Sequence, residues 1–361
     1  MEGAKSIEAL TLCYTAGVVA GTLVSGAGQG AAGGAALMVL ALSPVLFRTA
    51  LKRSPDTLAI PILLAAFVMA GWFSAHLARI GYPESSALEG FALKTADRLR
   101  TFIDTLPFPH AETPALLKAL LTGDRSPLSP ETVGAFRRSG ASHLLALSGL
   151  HMGILYLLLD WFTRAWGHTR AALRIRAALL ISAAAFFTLM TGASPSLVRA
   201  FLFITLSEVL RLTGRPRKAT RTFCLALLIQ LVLWPAAIGS LGFQLSYLAV
   251  AGIILLYPVL ESWYPEGGRF NPLRRIWQAA ALSISCQVFT APLVWWRFHT
   301  FPTFFLLTNL VAIPITTALM GTAVLTIALG AVNLCPAFLY TATDGLCRLL
   351  TYVLEVIASL S

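Results

Sequence analysis

The chain alternates between long apolar stretches and short polar loops. A helix needs about 17–25 predominantly apolar residues to cross a bilayer. The pattern predicts an all-α polytopic membrane protein with about ten or eleven transmembrane or intramembrane helices, and we expect the last long stretch to be a broken or double span. The stretches lie near 9–27, 31–48, 57–78, 142–162, 177–193, 197–212, 221–239, 241–260, 276–297 and 303–331, with a final helix near 336–358.

Basic residues gather in alternate loops, which indicates an orientation. Lys and Arg cluster in 48–53, 164–176, 211–221 and 269–275, whereas the loops 193–196 and 239–242 carry none. Because short cytoplasmic loops collect Lys and Arg, the basic loops and the N-terminus are predicted to face the cytoplasm. No small-residue cleavage site follows the first apolar run, so we interpret it as a retained span and not as a signal peptide.

The longest polar stretch, 79–141, is then predicted to lie outside the membrane as short amphipathic helices on its outer face or against the bundle. A packed connector is the simpler interpretation of the same pattern. The predicted parts are leading spans 1–78, this extracytoplasmic segment, a spanning core 142–332 and a terminal helix 333–361. The helix signals of the segment 79–141 are a capping box at Ser86–Glu89, the helix starts Thr113-Pro114 and Ser129-Pro130, and Gly140 at the end of a third helix.

Composition agrees with this class. The chain is 57% hydrophobic and 12% charged, whereas soluble domains carry about 25% charged residues. The net charge is +11, which fits either cytoplasmic loops or a phosphate-binding surface, and charge alone does not separate the two. The five cysteines are scattered through apolar segments. We therefore expect neither a metal site nor a cofactor.

Polar residues inside apolar spans are candidate functional residues, because they are costly in lipid. In SHLLALSGLHMGIL, residues 142–155, Ser148 and His151 are three apart and share a helix face, with His143 offset from them. The Gly149-x-x-x-Gly153 spacing favours close approach of a second helix. The segment fits a pore or substrate-contact face and, equally, a helix-packing seam with hydrogen-bonded histidines.

Three further stretches carry polar residues, each with two interpretations. Ser194 and Arg199 are suited to grip a phosphate, or to cap a helix and reach the membrane interface. Gln244 and Ser246 lie on one helix and are typical of polar contacts between helices. Asn309 and Pro314 predict a broken helix that lines a cavity, or a simple proline kink.

Enzyme signatures are absent from the sequence. It contains no H-E-x-x-H, no G-x-S-x-G and no ATP-binding motif. Ser148 and His151 form a conceivable nucleophile and base, but no oxyanion donors accompany them, so an intramembrane serine enzyme is the weakest hypothesis. A secondary transporter of a small anionic solute, using the break near Pro314, is the main alternative to a channel.

The stretch LTGDRSPLSPETVGAFRRSGASHLLALSGLHMGIL, residues 121–155, resembles the core of the ComEC-type competence proteins. TGASPSLVRAF, GSLGFQLSYLAVAGIILL and QVFTAPLVWWRFHTFPTFFLLTNLVAIP resemble later parts of that family in the same order. The resemblance covers about 118–332 and implies a bacterial inner-membrane channel that passes single-stranded DNA into the cytoplasm during natural transformation.

The resemblance also implies roles for individual residues. Asp124, Gly153 and Pro195 match the motif as structural positions. On physical grounds, the phosphates of a strand need a positive, water-filled path. We therefore expect an outer basic funnel formed by Arg98, Arg100, Arg125, Arg137 and Arg138, together with Arg79. The residues expected to line the DNA path or brace its gate are His143, Ser148, Gly149, His151, Ser194, Arg199, Gln244, Ser246, Asn309 and Pro314.

Longer members of that family carry an outer OB-like domain and a terminal metallo-β-lactamase-like domain. Neither is recognised here, so this chain resembles a short form. The expected partners are single-stranded DNA, membrane lipid, competence proteins that supply DNA capture, nuclease and motor functions, and a further copy of the chain in a homo-oligomer.

Overall fold

The computed structural model describes residues 2–24, 68, 87–167, 169–216, 218–264, 271–299 and 302–360. These residues form α-helices and short 3-10 turns without a strand, so the all-α prediction is confirmed. The predicted spans 31–48 and 57–78, Arg79 and the capping box at Ser86 lie outside this part of the chain, apart from Val68. The helices are α1 (Glu2–Val24), α2 (Ala87–Thr105), α3 (Glu112–Thr122), α4 (Pro130–Arg138), α5 (Ser142–Leu145), α6 (Gly149–Thr163), α7 (Arg170–Met190), α8 (Pro195–Leu212), α9 (Ala219–Leu233), α10 (Leu241–Leu255), α11 (Tyr257–Glu261), α12 (Pro272–Phe298), α13 (Phe305–Ala331) and α14 (Ala337–Ser359).

Three of the described helices, α7, α12 and α13, are long and apolar enough to cross a membrane. Shorter apolar helices occupy Leu10–Thr22, Ala219–Leu233 and Leu241–Leu255. The protein is therefore a helical membrane protein, while the number of spans and their orientation stay predictions.

The described residues fall into two compact units. The first takes its residues from Met1–Glu84 and Leu202–Phe301, and the second from Ser85–Phe201 and Pro302–Ser361. The predicted division into leading spans, outer segment, core and terminal helix is a different one, and it stays a prediction.

In the first unit, α10 packs on α12 and α1 packs on α9. The core centres on Tyr247, whose ring lies 5.6 Å from that of Phe223 and 4.5 Å from that of Phe243. Gly252 allows α10 to approach the α12 backbone, because a Cβ there would lie 2.2 Å from the Ser285 carbonyl oxygen. A side chain at this position would push the two helices apart.

In the second unit, α3 is a core helix. Its Leu117 and Leu120 are fully buried and belong to one cluster with residues of α13 and α14. The predicted outer segment thus packs against the bundle at α3. The predicted start of this helix is wrong, because it begins at Glu112 and Thr113 lies within its first turn.

Two other predicted boundaries of this segment, at Ser129-Pro130 and at Gly140, are confirmed. The Ser129 hydroxyl accepts a hydrogen bond from the Thr132 amide, and Pro130 occupies the first helical position of α4. Gly140, with φ +81°, follows the end of α4. The turn after Gly140 brings the chain to Pro302, which a Cβ on Gly140 would approach to 2.8 Å.

Two long spans differ from prediction. The expected continuous helix at 142–162 is interrupted, since α5 ends at Leu145 and α6 begins at Gly149. The expected break near Pro314 is wrong, because α13 runs unbroken from Phe305 to Ala331 with this proline inside it.

Candidate functional site

The interruption before α6 places Ser148 as a helix cap. Its backbone is extended, at φ −130° and ψ 171°, and its hydroxyl accepts a 3.2 Å hydrogen bond from the Leu150 amide. The Ser148 amide in turn donates to Nδ1 of His151 at 3.3 Å. This reciprocal pair is a capping box, with histidine in the place usually taken by Glu or Gln.

The capping box fixes the state of the His151 ring. Since Nδ1 accepts a backbone N–H, the proton of the neutral ring resides on Nε2. His151 is fully buried, and Nε2 has no hydrogen-bond partner among the described residues. The ring therefore holds a buried donor that points away from the serine. The Ser148 Oγ also lies 3.1 Å from His151 Nδ1. The two side chains meet because Ser148 is the cap residue that precedes the first turn of α6.

Arg199, in the second turn of α8, lies against the start of α6. A Cβ on Gly149 would lie 3.2 Å from Nη2 of Arg199 and 3.6 Å from the Cβ of Ala200. The close approach predicted for Gly149 is thus observed. It sets a guanidinium beside the positive end of a helix, an arrangement that favours an anion.

The turn that leads into α8 contains Gly192, Ala193 and Ser194, which precede Arg199 in the chain. Gly192 and Ala193 have φ +77° and +47°, and Pro195 is the first residue of the helix. Ser194 precedes it, and its buried hydroxyl has no hydrogen-bond partner among the described residues. The predicted side-chain cap is therefore not formed by Ser194 in this part of the chain.

Two residues of the stretch 142–155, Gly153 and His143, do not join this arrangement. A Cβ on Gly153 would meet nothing within 4 Å, so the packing role predicted for it is wrong. His143 lies in α5 with an exposed side chain, and its Nδ1 is 3.3 Å from the Gly140 carbonyl oxygen. The interruption removes the continuous helix on which Ser148 and His151 were expected to share a face, with His143 offset from them.

Asn309 lies in the first turns of α13, next to Thr308, which joins this helix to the end of α4. Thr308 donates a 2.6 Å hydrogen bond to the Ser139 carbonyl oxygen. The Asn309 Oδ1 is buried and has no hydrogen-bond partner among the described residues. Pro314 is exposed at the surface of the second unit, so it does not line the interior of this unit.

Residues 120–361 match the family described as competence protein. The chain belongs to the competence protein family. The matched range contains the turn Gly123-Asp124-Arg125, which we call the GDR turn, together with the capping box, Arg199 and Asn309. It excludes Arg98 and Arg100.

Named competence proteins are among the relatives of the chain. It is 30% identical over 205 residues to ComE operon protein 3 of Bacillus subtilis (strain 168), covering 56% of this chain and 25% of that protein. It is 31% identical over 204 residues to competence protein ComA of Neisseria gonorrhoeae, covering 55% and 28%. It is also 28% identical over 245 residues to an uncharacterized protein, YcaI, of Escherichia coli (strain K12), covering 65% and 31%. The chain thus spans about a quarter to a third of the length of these relatives, and no solved structure matches it.

Within the family motif, the GDR turn is locally ordered. Asp124 Oδ1 accepts hydrogen bonds from the Ser126 amide at 3.1 Å and the Ser126 hydroxyl at 2.6 Å. These bonds to Ser126, supported by Arg100 and Lys118, lower the pKa of Asp124 despite its partial burial. Arg125 donates from Nε to the Leu145 carbonyl oxygen at 3.0 Å, which satisfies a carbonyl at the end of α5.

The remaining predicted basic residues differ in their surroundings. Arg98, Arg137 and Arg138 are exposed, as a surface that meets a polyanion requires. Arg100 donates to Thr122 at 3.0 Å and to Asp97 at 2.7 Å, so it takes part in holding α2 to α3. The outer funnel stays a prediction.

Gln244 and Ser246 lie on α10, in the first unit. Gln244 is buried and donates from its amide to the Ile238 carbonyl oxygen at 2.7 Å. On the same helix, the Tyr247 hydroxyl donates to Gln230 Oε1 at 2.9 Å, whereas Ser246 is partly buried. These contacts fit the interpretation of polar residues that join helices.

Two of the buried carboxylates of this family domain, Asp344 and Asp160, were not among the predicted site residues. Asp344 on α14 accepts hydrogen bonds from Nδ1 and the amide of His110 at 2.7 and 3.2 Å, and from the Thr113 hydroxyl at 2.6 Å. Asp160 on α6 pairs with Arg176 of α7 and with Arg164. Both acids stand in apolar runs, which is the signal that would have identified them. The described residues contain no group of three or more His, Cys, Asp and Glu that could hold a metal ion.

Proposed function

We propose that this chain forms an inner-membrane channel that passes single-stranded DNA into the cytoplasm during natural transformation. Its membership of the competence protein family and its similarity to ComE operon protein 3 and competence protein ComA support this proposal. We propose a multi-pass topology with the N-terminus in the cytoplasm, which the distribution of Lys and Arg among the loops favours.

The observation that carries the proposal is the position of Arg199 against Gly149 at the start of α6. A phosphate is an anion with several acceptor oxygens, and a guanidinium offers it a planar fork of donors. The helix end and the buried Nε2 donor of His151 add positive potential and donor capacity on the same helix. These features suit contact with a phosphodiester backbone, independent of base sequence.

A non-enzymatic role is part of the proposal. The Ser148 hydroxyl caps α6 by accepting a hydrogen bond from the Leu150 amide, and we propose no nucleophile at this position. A transporter of small anions is not favoured, because its main argument was a break near Pro314 and α13 is continuous. DNA capture, strand degradation and the driving force are assigned to partner competence proteins or a gradient, and homo-oligomers are compatible with the proposal.

Deletion of the gene in a transformable host tests this function. The deletion strain is complemented with the wild type, with Arg199→Gln, and with Arg170→Gln as a matched control. Arg170 is an exposed arginine at the start of α7, away from α6's first turn. Two quantities are measured with labelled DNA: surface-bound DNA and DNA protected from added nuclease.

We expect the deletion to abolish protected DNA while surface-bound DNA remains. Arg199→Gln should lower protected DNA and transformant number at least about tenfold, since a hydrogen bond to a charged group is worth roughly 1.5–3 kcal/mol. Arg170→Gln should behave as wild type. Unchanged transformation in the deletion strain would rule out the proposed function.

A further inference from the structure

The segment between α2 and α5 extends along the whole length of α13. Near the start of α13, Thr308 is bonded to Ser139. Near its end, a Cβ on Gly330 would lie 3.0 Å from Cδ2 of Leu106 and 3.8 Å from Cζ of Phe102. The residues from 308 to 330 rise by about 33 Å at 1.5 Å per residue. This distance matches the hydrocarbon core of a bilayer, which is about 30 Å thick.

From the far end of α13, α2 and α3 run side by side as a helical hairpin. Lys118 on α3 pairs with Asp104 on α2 at 2.7 Å, and Arg100 joins Thr122 at 3.0 Å. The α2–α3 turn reaches α14, where Phe108 lies 5.6 Å from the Tyr340 ring. The hairpin therefore starts beside the α13–α14 connection and does not lie flat on the side of the membrane where α13 begins.

The buried face of α2 is apolar, and its exposed face is polar from Lys94 to Thr105, after the exposed Phe91 and Leu93. Ala92, Ala96 and Ile103 are almost fully buried. The exposed side carries a stripe at helical spacing, in which the side chain of Asp97 is 71% exposed and that of Asp104 is 53% exposed. We call this the α2 polar stripe; its residues are Lys94, Asp97, Arg98, Thr101, Asp104 and Thr105.

A polar stripe at this depth is incompatible with contact to lipid tails. Ionisable side chains inside a membrane face the bundle interior or water, because each costs several kcal/mol in hydrocarbon. α13, whose C-terminal end lies beside the hairpin turn, is strongly apolar, and its exposed residues, such as Leu307 and Leu325, are suited to lipid. The two exposed surfaces at the same depth thus require different surroundings.

We propose that the α2–α3 hairpin is re-entrant and forms one wall of a water-filled cavity inside the membrane, with the α2 polar stripe facing the water. The stripe carries both signs of charge, so it hydrates the cavity without holding a polyanion tightly. The cavity follows from the helices alone. Its use as a path for DNA rests on the function proposed above.

Thiol accessibility tests this cavity. Cys13, Cys286 and Cys335 are replaced by serine, and the buried Cys224 and Cys347 are kept, so that this parent protein gives the background. Single cysteines are then introduced as Thr101→Cys in the stripe, Ala96→Cys on the buried face and Leu325→Cys on α13. The proteins are reconstituted into vesicles of bacterial phospholipid, and the probe is a charged, membrane-impermeant methanethiosulfonate. Thr105→Cys is a second stripe position in case the first does not fold.

The stripe cysteine should react on the order of tenfold faster than the cysteines at 96 and 325, because ionised reagents do not enter hydrocarbon. A fluorophore at 325 should be quenched by nitroxide lipids, and one at 101 by iodide. If the cysteine at 325 reacts as fast as the one at 101, this end of α13 lies outside the membrane and the proposal is wrong. Equal, slow reaction at 101 and 96 would also overturn it.

The two experiments fail separately. A reactive stripe together with unchanged transformation in the deletion strain would leave the cavity and remove its role in DNA passage. An unreactive stripe together with lost transformation would leave the function and place the DNA path elsewhere.

Discussion

Thr113 donates a 2.6 Å hydrogen bond to the buried carboxylate of Asp344, which ties the first turn of α3 to α14. This carboxylate also accepts two hydrogen bonds from His110, whose side chain is half exposed. The contact closes a loop of 231 residues and holds the base of the hairpin to a terminal helix. A buried charge with three donors depends on each of them.

Replacement of Thr113 by valine should destabilise the second unit. It removes one donor to a charged group at nearly constant volume, which costs about 1.5–3 kcal/mol. Thermal unfolding of the purified protein in detergent measures the effect. Thr341→Val is the matched control, because its hydroxyl is exposed and bonds only the Ala337 carbonyl of its own helix. Equal melting temperatures for the two variants would contradict a role for the Thr113–Asp344 contact.

Two glycines one turn apart on α6 should respond differently to a larger side chain. Gly149→Leu places atoms where the Arg199 guanidinium lies, whereas Gly153→Leu enters open space. We expect the first to lower DNA uptake in the complemented deletion strain to the level of Arg199→Gln, and the second to be tolerated. Membrane abundance of both proteins, measured by immunoblot, serves as the control. Comparable uptake with both variants would show that the Arg199 position is not required.

Gly252→Ala should disrupt the first unit. Its Cβ would lie 2.2 Å from the Ser285 carbonyl oxygen, a backbone atom that cannot move without shifting α12. Such overpacking costs about 1–3 kcal/mol or more. Gly345→Ala on α14, where a Cβ meets nothing within 4 Å, should instead raise stability slightly, since alanine favours helix. Detergent-solubilised melting curves distinguish the pair, and a neutral Gly252→Ala would refute the close packing.

Acidification should loosen the GDR turn. The pKa of Asp124 is lowered in the folded protein, chiefly by its hydrogen bonds to Ser126. Its contribution is therefore fully present above the unfolded pKa, near about 3.9, and is lost as the pH falls through the lower folded pKa. Melting temperatures between neutral and strongly acidic pH should fall less steeply for Asp124→Asn than for wild type. Asp97→Asn, at a position where the side chain is mostly exposed, is the control and should keep the wild-type slope.

Much of this fold could be predicted from local pattern. The bounds of α8 and α14 agree with the apolar runs within a few residues, because a helix in an apolar run satisfies its own backbone hydrogen bonds. Ser129-Pro130 marks the start of α4, since a hydroxyl acceptor and a residue without N–H suit a helix start wherever they occur. Family membership likewise followed from short contiguous motifs.

The candidate site was predicted in part. Gly149 and Arg199 were identified by residue type, but nothing local showed that one lies against the other. Ser148 and His151 were expected on one face of a continuous helix, and their actual contact arises because the helix starts between them. Asp344 was overlooked although it stands in an apolar run, because its partners lie more than two hundred residues away in the chain.

The class of the protein, most of its helices and its family can be predicted from the chain alone, because apolar periodicity, caps and motifs act over a few residues. The three-dimensional structure is needed to see that Thr113 binds Asp344 and does not cap a helix, that Gly153 is open, and that the segment from Leu106 to Ser139 reaches from one end of α13 to the other. The physical reason is that a polar group in an apolar surrounding must find a partner, and the fold alone determines which distant residue or which water that partner is.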